Sequence, residues 1–179
     1  MTIAVILHVI GTVLGVGAVT VNDVMLLRAL GDGDQGIAYQ KNAIWFSLII
    51  WIGWIILAGS AVYFALTNSW VMQSGKILLK LFLFGVLTIN GLMMNFILTP
   101  ALERLKRVDW QEKRPALKRI VRLGVFPGAL SITSWYATLI LGAAGRQTWT
   151  VEQMFSIFAL ALLVAWLGAY FVTNWRLKT

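Results

Sequence analysis

The stretch from Gly75 to Leu102, GKILLKLFLFGVLTINGLMMNFILTPAL, restricts the fold of this chain more than any other. Most of its residues are apolar, and it is long enough to cross a hydrocarbon core. Yet Lys76 and Lys80 stand at one end, and Asn90 and Asn95 further along. Lys76, Lys80, Leu83, Leu87, Asn90 and Met94 recur at spacings of four and three, which puts them on one helical face. Polar groups on one stripe of a membrane helix are expected to face protein rather than lipid. The remaining apolar segments must pack around this seam. Pro100 is expected to close the helix ahead of a strongly basic loop.

Other apolar runs fill most of the chain, and they are continuous rather than alternating, which favours helices over a barrel. The expected fold class is all-α: one integral-membrane domain over residues 1–179, with five transmembrane helices near 2–30, 43–66, 76–100, 120–144 and 151–175. Charged residues make up only 12% of the chain, about half the share of a soluble domain. The formal net charge of +8 is therefore read as basic loops beside anionic lipid headgroups, not as a nucleic-acid surface. The absence of cysteine excludes disulfides and thiolate metal sites. The first run lacks a basic n-region and is longer than a signal-peptide core, so it is read as an uncleaved helix.

On that first helix His8, Gly11, Gly15, Ala18 and Asn22 share one stripe, with Asp23 beside it. Small residues in such a row let a neighbouring backbone come close. In the second helix Trp45 suits the interface, Trp51 and Trp54 suit packing, and Gly59 with Ser60 offers another close contact. Trp70 and Trp149 are expected at the outer interface. The loop from Ala101 to Arg119 is expected to hold a short amphipathic helix lying on the membrane, with Leu105, Val108 and Trp110 touching lipid and Pro115 ending it. In the fourth helix Pro127 frees the carbonyl of Leu123, and Ser131, Ser134 and Thr138 form a hydroxyl stripe. The fifth helix, nearly all apolar, reads as a lipid-facing support.

Five spans put the termini on opposite sides. Twelve of the fifteen Lys and Arg residues fall with the Ala101–Arg119 loop, the first loop and the tail, and only Lys76, Lys80 and Arg146 fall opposite. The positive-inside rule then places the amino terminus outside and the carboxyl terminus in the cytoplasm. His8, Lys80 and Thr138 share an outer level, with His8 roughly 9 Å deep at about 1.5 Å per residue. Asp23, Asn95 and Arg122 form an inner level, with Asp23 expected to pair with Arg122 or cap Asn95. Asn90 and Ser131 lie between the two levels.

His8 is the only histidine. It reads either as an imidazole packed on a neighbouring helix or as a ligand for copper or haem iron. Lys80 reads as a snorkelling side chain or a functional cation, and Met25, Met93, Met94 and Met154 read as core filler. No phosphate loop, metal-ligand pair or nucleophile–base arrangement is present, so an enzyme is not expected.

Three segments carry a family resemblance. LHVIGTVLGVGA, LLKLFLFGVLTINGLMMNFILTPAL and Leu117-Lys118-Arg119-Ile120-Val121 resemble the transmembrane domain of copper resistance protein D and its small bacterial relatives. VTVNDVMLLRAL, with Asp23, is similar to the first helix of a subset of those relatives. The family pattern has a glutamate where Leu123 or Gly124 stands here. The resemblance implies a multi-pass bundle in the bacterial inner membrane linked to copper uptake or handling, with His8, Lys80 and Asn90 at family-type positions. Two other readings stand beside it: a haem-binding electron carrier using His8, and a non-catalytic assembly or interaction protein. Membrane lipids are the expected partners, and self-association or binding of a small ion is compatible with every reading.

Overall fold

A computed structural model describes residues 3–67, 75–144 and 149–178. Trp70, Met72, Arg146, Thr2 and most of the loop before Gly75 lie outside the described residues. The elements are α1 (Ile3–Gly31), a 3-10 turn (Gly33–Gln35), α2 (Gly36–Thr67), α3 (Gly75–Met93), a π turn (Met94–Leu98), α4 (Thr99–Glu103), α5 (Arg107–Gln111), α6 (Pro115–Ala143) and α7 (Val151–Arg176). No strand occurs among the described residues. Five helices are long and apolar enough to cross a membrane, the third being α3 continued through the π turn into α4. The protein is an all-α transmembrane bundle.

Two prolines act differently from the expectation. Pro100 does not close the third span. It has no N–H for the carbonyl of Phe96, and its ring crowds that carbonyl. The preceding turn widens instead: the Thr99 N–H reaches back five residues to the Met94 carbonyl, and the helix runs on to Glu103. Pro115 does not end the loop helix either. It stands at the start of α6, where a missing N–H costs nothing. α6 therefore begins five residues before the expected 120.

α2 also starts early, at Gly36 rather than near 43. Its extra turns are held by the next loop. Gln40 Nε2 donates to the carbonyls of Leu102 and Leu105, the latter at 3.1 Å. Tyr39 is buried edge-on against Trp110, with ring centroids 6.0 Å apart. α7 starts as expected, with Thr150 and Gln153 capping each other's backbone N–H.

The loop helix α5 is the main correction to the sequence reading. Leu105 and Trp110 do not touch lipid: Leu105 is 7% exposed and Trp110 fully buried. They plug the end of the bundle at which α1 finishes, together with Ala29, Leu30, Tyr39, Leu117, Val121 and Leu177. Gly36 makes this possible, because a Cβ there would collide with the Trp110 indole. Asp34 ties the rim, accepting from Arg107 Nη2 at 2.9 Å and Gln111 Nε2 at 2.6 Å. All this lies on the exposed surface, where ion pairs contribute little. Arg107→Ala is expected to leave the thermal midpoint nearly unchanged.

Within the membrane, α1 and α2 form the tightest pair. A Cβ added at Gly11 would lie 2.8 Å from the Gly53 carbonyl, and one at Gly53 would lie 2.8 Å from the Gly11 carbonyl. The expected stripe on α1 is therefore a contact row, and Gly11, Gly15 and Ala18 are buried in it. Gly15 faces the ring of Trp135 on α6. Ser60 is buried, whereas Gly59 has open space around it and makes no close contact. Val19, Leu57, Leu87 and Trp135 form a middle core, and Leu79, Leu83, Leu141, Met154 and Phe158 one at the opposite end from Trp110. Trp54 bridges to α3, stacking on Phe84 at 4.7 Å and donating to Thr88 Oγ1 at 3.2 Å. α7 presents most of its surface outward, as a lipid-facing helix should.

Candidate functional site: the His8–Ser60–Lys80 level

The small residues after His8 draw α1 against α2, and that contact sets the height at which His8 meets Ser60. His8 Nδ1 lies 2.9 Å from Ser60 Oγ. Ser60 Oγ in turn lies 2.9 Å from the Leu57 carbonyl, one turn back on its own helix. A hydroxyl has one proton to give. A carbonyl can only accept, so when that proton goes to Leu57, Ser60 Oγ accepts from His8. In that arrangement Nδ1 carries the ring proton, and Nε2 of the neutral imidazole keeps a bare lone pair. Phe64 meets the ring edge-on at 5.6 Å and helps fix its plane.

Lys80 comes to this level from α3. It is half-buried and within electrostatic reach of both His8 and Lys76. Among the described residues Lys80 has no hydrogen-bond acceptor and no carboxylate partner. Lys76, one turn nearer the start of α3, donates to the Ala144 carbonyl. This level thus holds one imidazole and one lysine without a carboxylate partner among the described residues. Thr138 does not join them, because its hydroxyl donates to the Ser134 carbonyl of its own helix at 2.9 Å.

The expected inner cluster does not form. Asp23 neither pairs with Arg122 nor caps Asn95. Its carboxylate accepts from its neighbour Asn22 at 3.4 Å and lies within electrostatic reach of buried Tyr39. Asn95 accepts from Ser47 Oγ at 3.1 Å, and Arg122 donates to Asn174 Oδ1 at 3.3 Å. The three residues end in three separate pairs, Asp23 with its own neighbour and the other two across helices. Between the levels, Asn90 is buried and donates to the carbonyl of Pro127 itself at 3.0 Å, not to that of Leu123. Ser131 is half-buried, and Ser134 is fully buried with a hydroxyl that lacks a partner.

Nothing in the sequence pairs Ser60, Tyr39, Ser47 or Asn174 with these groups. Ser60 alone carries a signal, as a small residue beside Gly59. Tyr39 lay outside the expected second helix, and nothing local marks Ser47 or Asn174.

No group of three His, Cys, Asp or Glu side chains that could hold a metal occurs among the described residues. A cleft of about 430 Å³ opens between α6 and α7, but its lining is apolar apart from Thr133, Tyr136 and Trp149, and His8 is not part of it. Comparison with family models, with curated proteins and with solved structures finds no match for this chain.

Proposed function

We propose that this is a non-catalytic, multi-pass protein of the bacterial inner membrane that holds an anionic, metal-bearing ligand of haem type at its outer polar level. The observation that supports this reading is that His8, held at Nδ1 by Ser60, and Lys80, with no carboxylate partner among the described residues, lie within electrostatic reach of each other. A ring nitrogen whose partner nitrogen is fixed by a hydrogen bond is the usual form of a metal-binding histidine. A half-buried ammonium favours a carboxylate beside it. A haem-type ligand offers both iron and propionate carboxylates, so it would use both groups. With one histidine in the chain, the second axial position falls to methionine, to a partner copy or to nothing.

Copper handling, which the resemblance to copper resistance protein D implies, is less well served. Copper(I) prefers Cys, Met and His, and a bare cation is repelled by Lys80. Most of the remaining polar residues serve packing: Asn22, Asn90, Asn95, Ser47 and Thr138 are each bonded to protein.

The test is the absorbance spectrum and metal content of protein purified in mild detergent. A Soret band with iron is expected, abolished by His8→Ala. Ser60→Ala is expected to weaken retention about 10- to 100-fold, as outer-shell changes do. Copper without a Soret band would transfer the reading to copper handling. Absence of both would leave a packing and assembly role.

The proposed orientation, amino terminus outside, has its own test. The chain has no cysteine, so single cysteines report cleanly. Trp149→Cys is expected to react with an impermeant maleimide in intact cells, and Glu103→Cys only after lysis.

A further inference from the structure

A groove of about 420 Å³ lies at the inner end of α6, bordered by Pro115, Lys118, Arg119, Arg122 and Leu123. Among the loop's other basic residues two are held in ion pairs, while Arg104, Lys106 and Lys113 have none among the described residues; what sets Lys118, Arg119 and Arg122 apart is that they border one concave surface. Arg107 is bound to Asp34, and Arg114 to Glu112 at 2.8 Å. Lys118, Arg119 and Arg122 have no carboxylate within ion-pair distance among the described residues. Three like charges are thus gathered around one concave surface with nothing to neutralise them.

One of the three is held in place. Arg122 Nε donates to Asn174 Oδ1 on α7, and Asn174 Nδ2 donates to the Tyr170 carbonyl at 3.0 Å. The guanidinium is therefore positioned across the α6–α7 seam. On the membrane side the groove runs straight into apolar surface. Leu123 is 61% exposed and Phe126 46% exposed. Phe126 lies eight residues beyond Lys118, roughly 12 Å deeper at about 1.5 Å per residue.

The geometry points to a specific binding site for one anionic phospholipid, with its phosphate between Lys118, Arg119 and Arg122 and an acyl chain along Leu123 and Phe126. Basic pockets at the ends of membrane helices take anionic headgroups in this way. The adjoining apolar strip favours a lipid over free phosphate, which has no chain to lay there. The inference is independent of what binds at His8.

The test is native mass spectrometry of the full chain, titrated with phosphatidylglycerol or phosphatidylcholine. Phosphatidylglycerol is expected to bind at least tenfold more tightly. Each of K118Q, R119Q and R122Q is expected to weaken it about fivefold, near 1 kcal/mol per charge, and the triple variant about a hundredfold. Asn174→Ala keeps every charge but frees Arg122, and is expected to cost several-fold. The charge-preserving K118R/R119K variant should retain the preference, which separates charge loss from misfolding. Equal binding of the two lipids, or an unchanged preference in the single-charge variants, would overturn the site. So would displacement of phosphatidylglycerol by millimolar inorganic phosphate, which would mark a phosphate site without a lipid.

Discussion

Replacing Trp110 with alanine is expected to destabilise the protein by about 3–5 kcal/mol, the usual cost of deleting a buried large aromatic side chain. Trp110 is fully buried and touches α2 through Gly36 and Tyr39. It belongs to the cluster that joins α1, α2, α6 and the end of the chain at Leu177. Its loss leaves a hole at the point where the loop is fastened to the bundle, and α5 has only five residues with which to stay helical without that anchor. The measurement is thermal unfolding in detergent combined with limited trypsin digestion. A lower midpoint and rapid cleavage after Lys106 and Arg107 are expected. Trp110→Phe should be mild, because the indole N–H has no partner to lose. If Trp110→Ala leaves loop cleavage unchanged, the plug is not what holds the loop.

The second large effect is expected from Gly11→Leu or Gly53→Leu. Overpacking a close contact costs typically about 1–3 kcal/mol, and more where the surroundings cannot move. Here they cannot, since a Cβ on either glycine would lie 2.8 Å from the other's carbonyl oxygen, and backbone gives less readily than a side chain. α1 and α2 would have to separate along their length, and His8 would move away from Ser60. Both the thermal midpoint and any His8-dependent ligand retention should fall together. Gly17→Leu is the control. It sits on the same helix with nothing within 4 Å of its added Cβ, and it should gain up to about 1 kcal/mol from helix propensity. Equal losses at Gly11 and Gly17 would show that the effect is not contact between helices.

The inner loop shows why part of the structure was illegible in the sequence. Leu105, Val108 and Trp110 make an apolar face on a short helix beside a membrane. Such a face reads the same whether lipid or protein covers it. What decided the matter was Gly36, 74 residues before Trp110, which leaves room for the indole. Asp23 teaches the same lesson about polar groups. Depth along a helix placed it level with Asn95 and Arg122, but depth does not fix the direction in which a side chain points around the bundle. Asp23 is bonded by its own neighbour Asn22, while Asn95 and Arg122 each found a partner on another helix.

The sequence by itself determined the five apolar spans, the helical class, the buried row Gly11–Gly15–Ala18 and the inward face of Leu83, Leu87 and Asn90. These follow from periodicity and from the cost of leaving backbone polar groups unpaired in hydrocarbon, which are properties of one helix at a time. The tertiary structure alone decided that His8 meets Ser60, that Lys80 comes within electrostatic reach of His8 with no carboxylate partner among the described residues, that Pro100 widens a turn instead of ending one, and that Trp110 is core. Each depends on a second helix arriving at a particular height and rotation, set by side-chain packing between segments far apart in the chain.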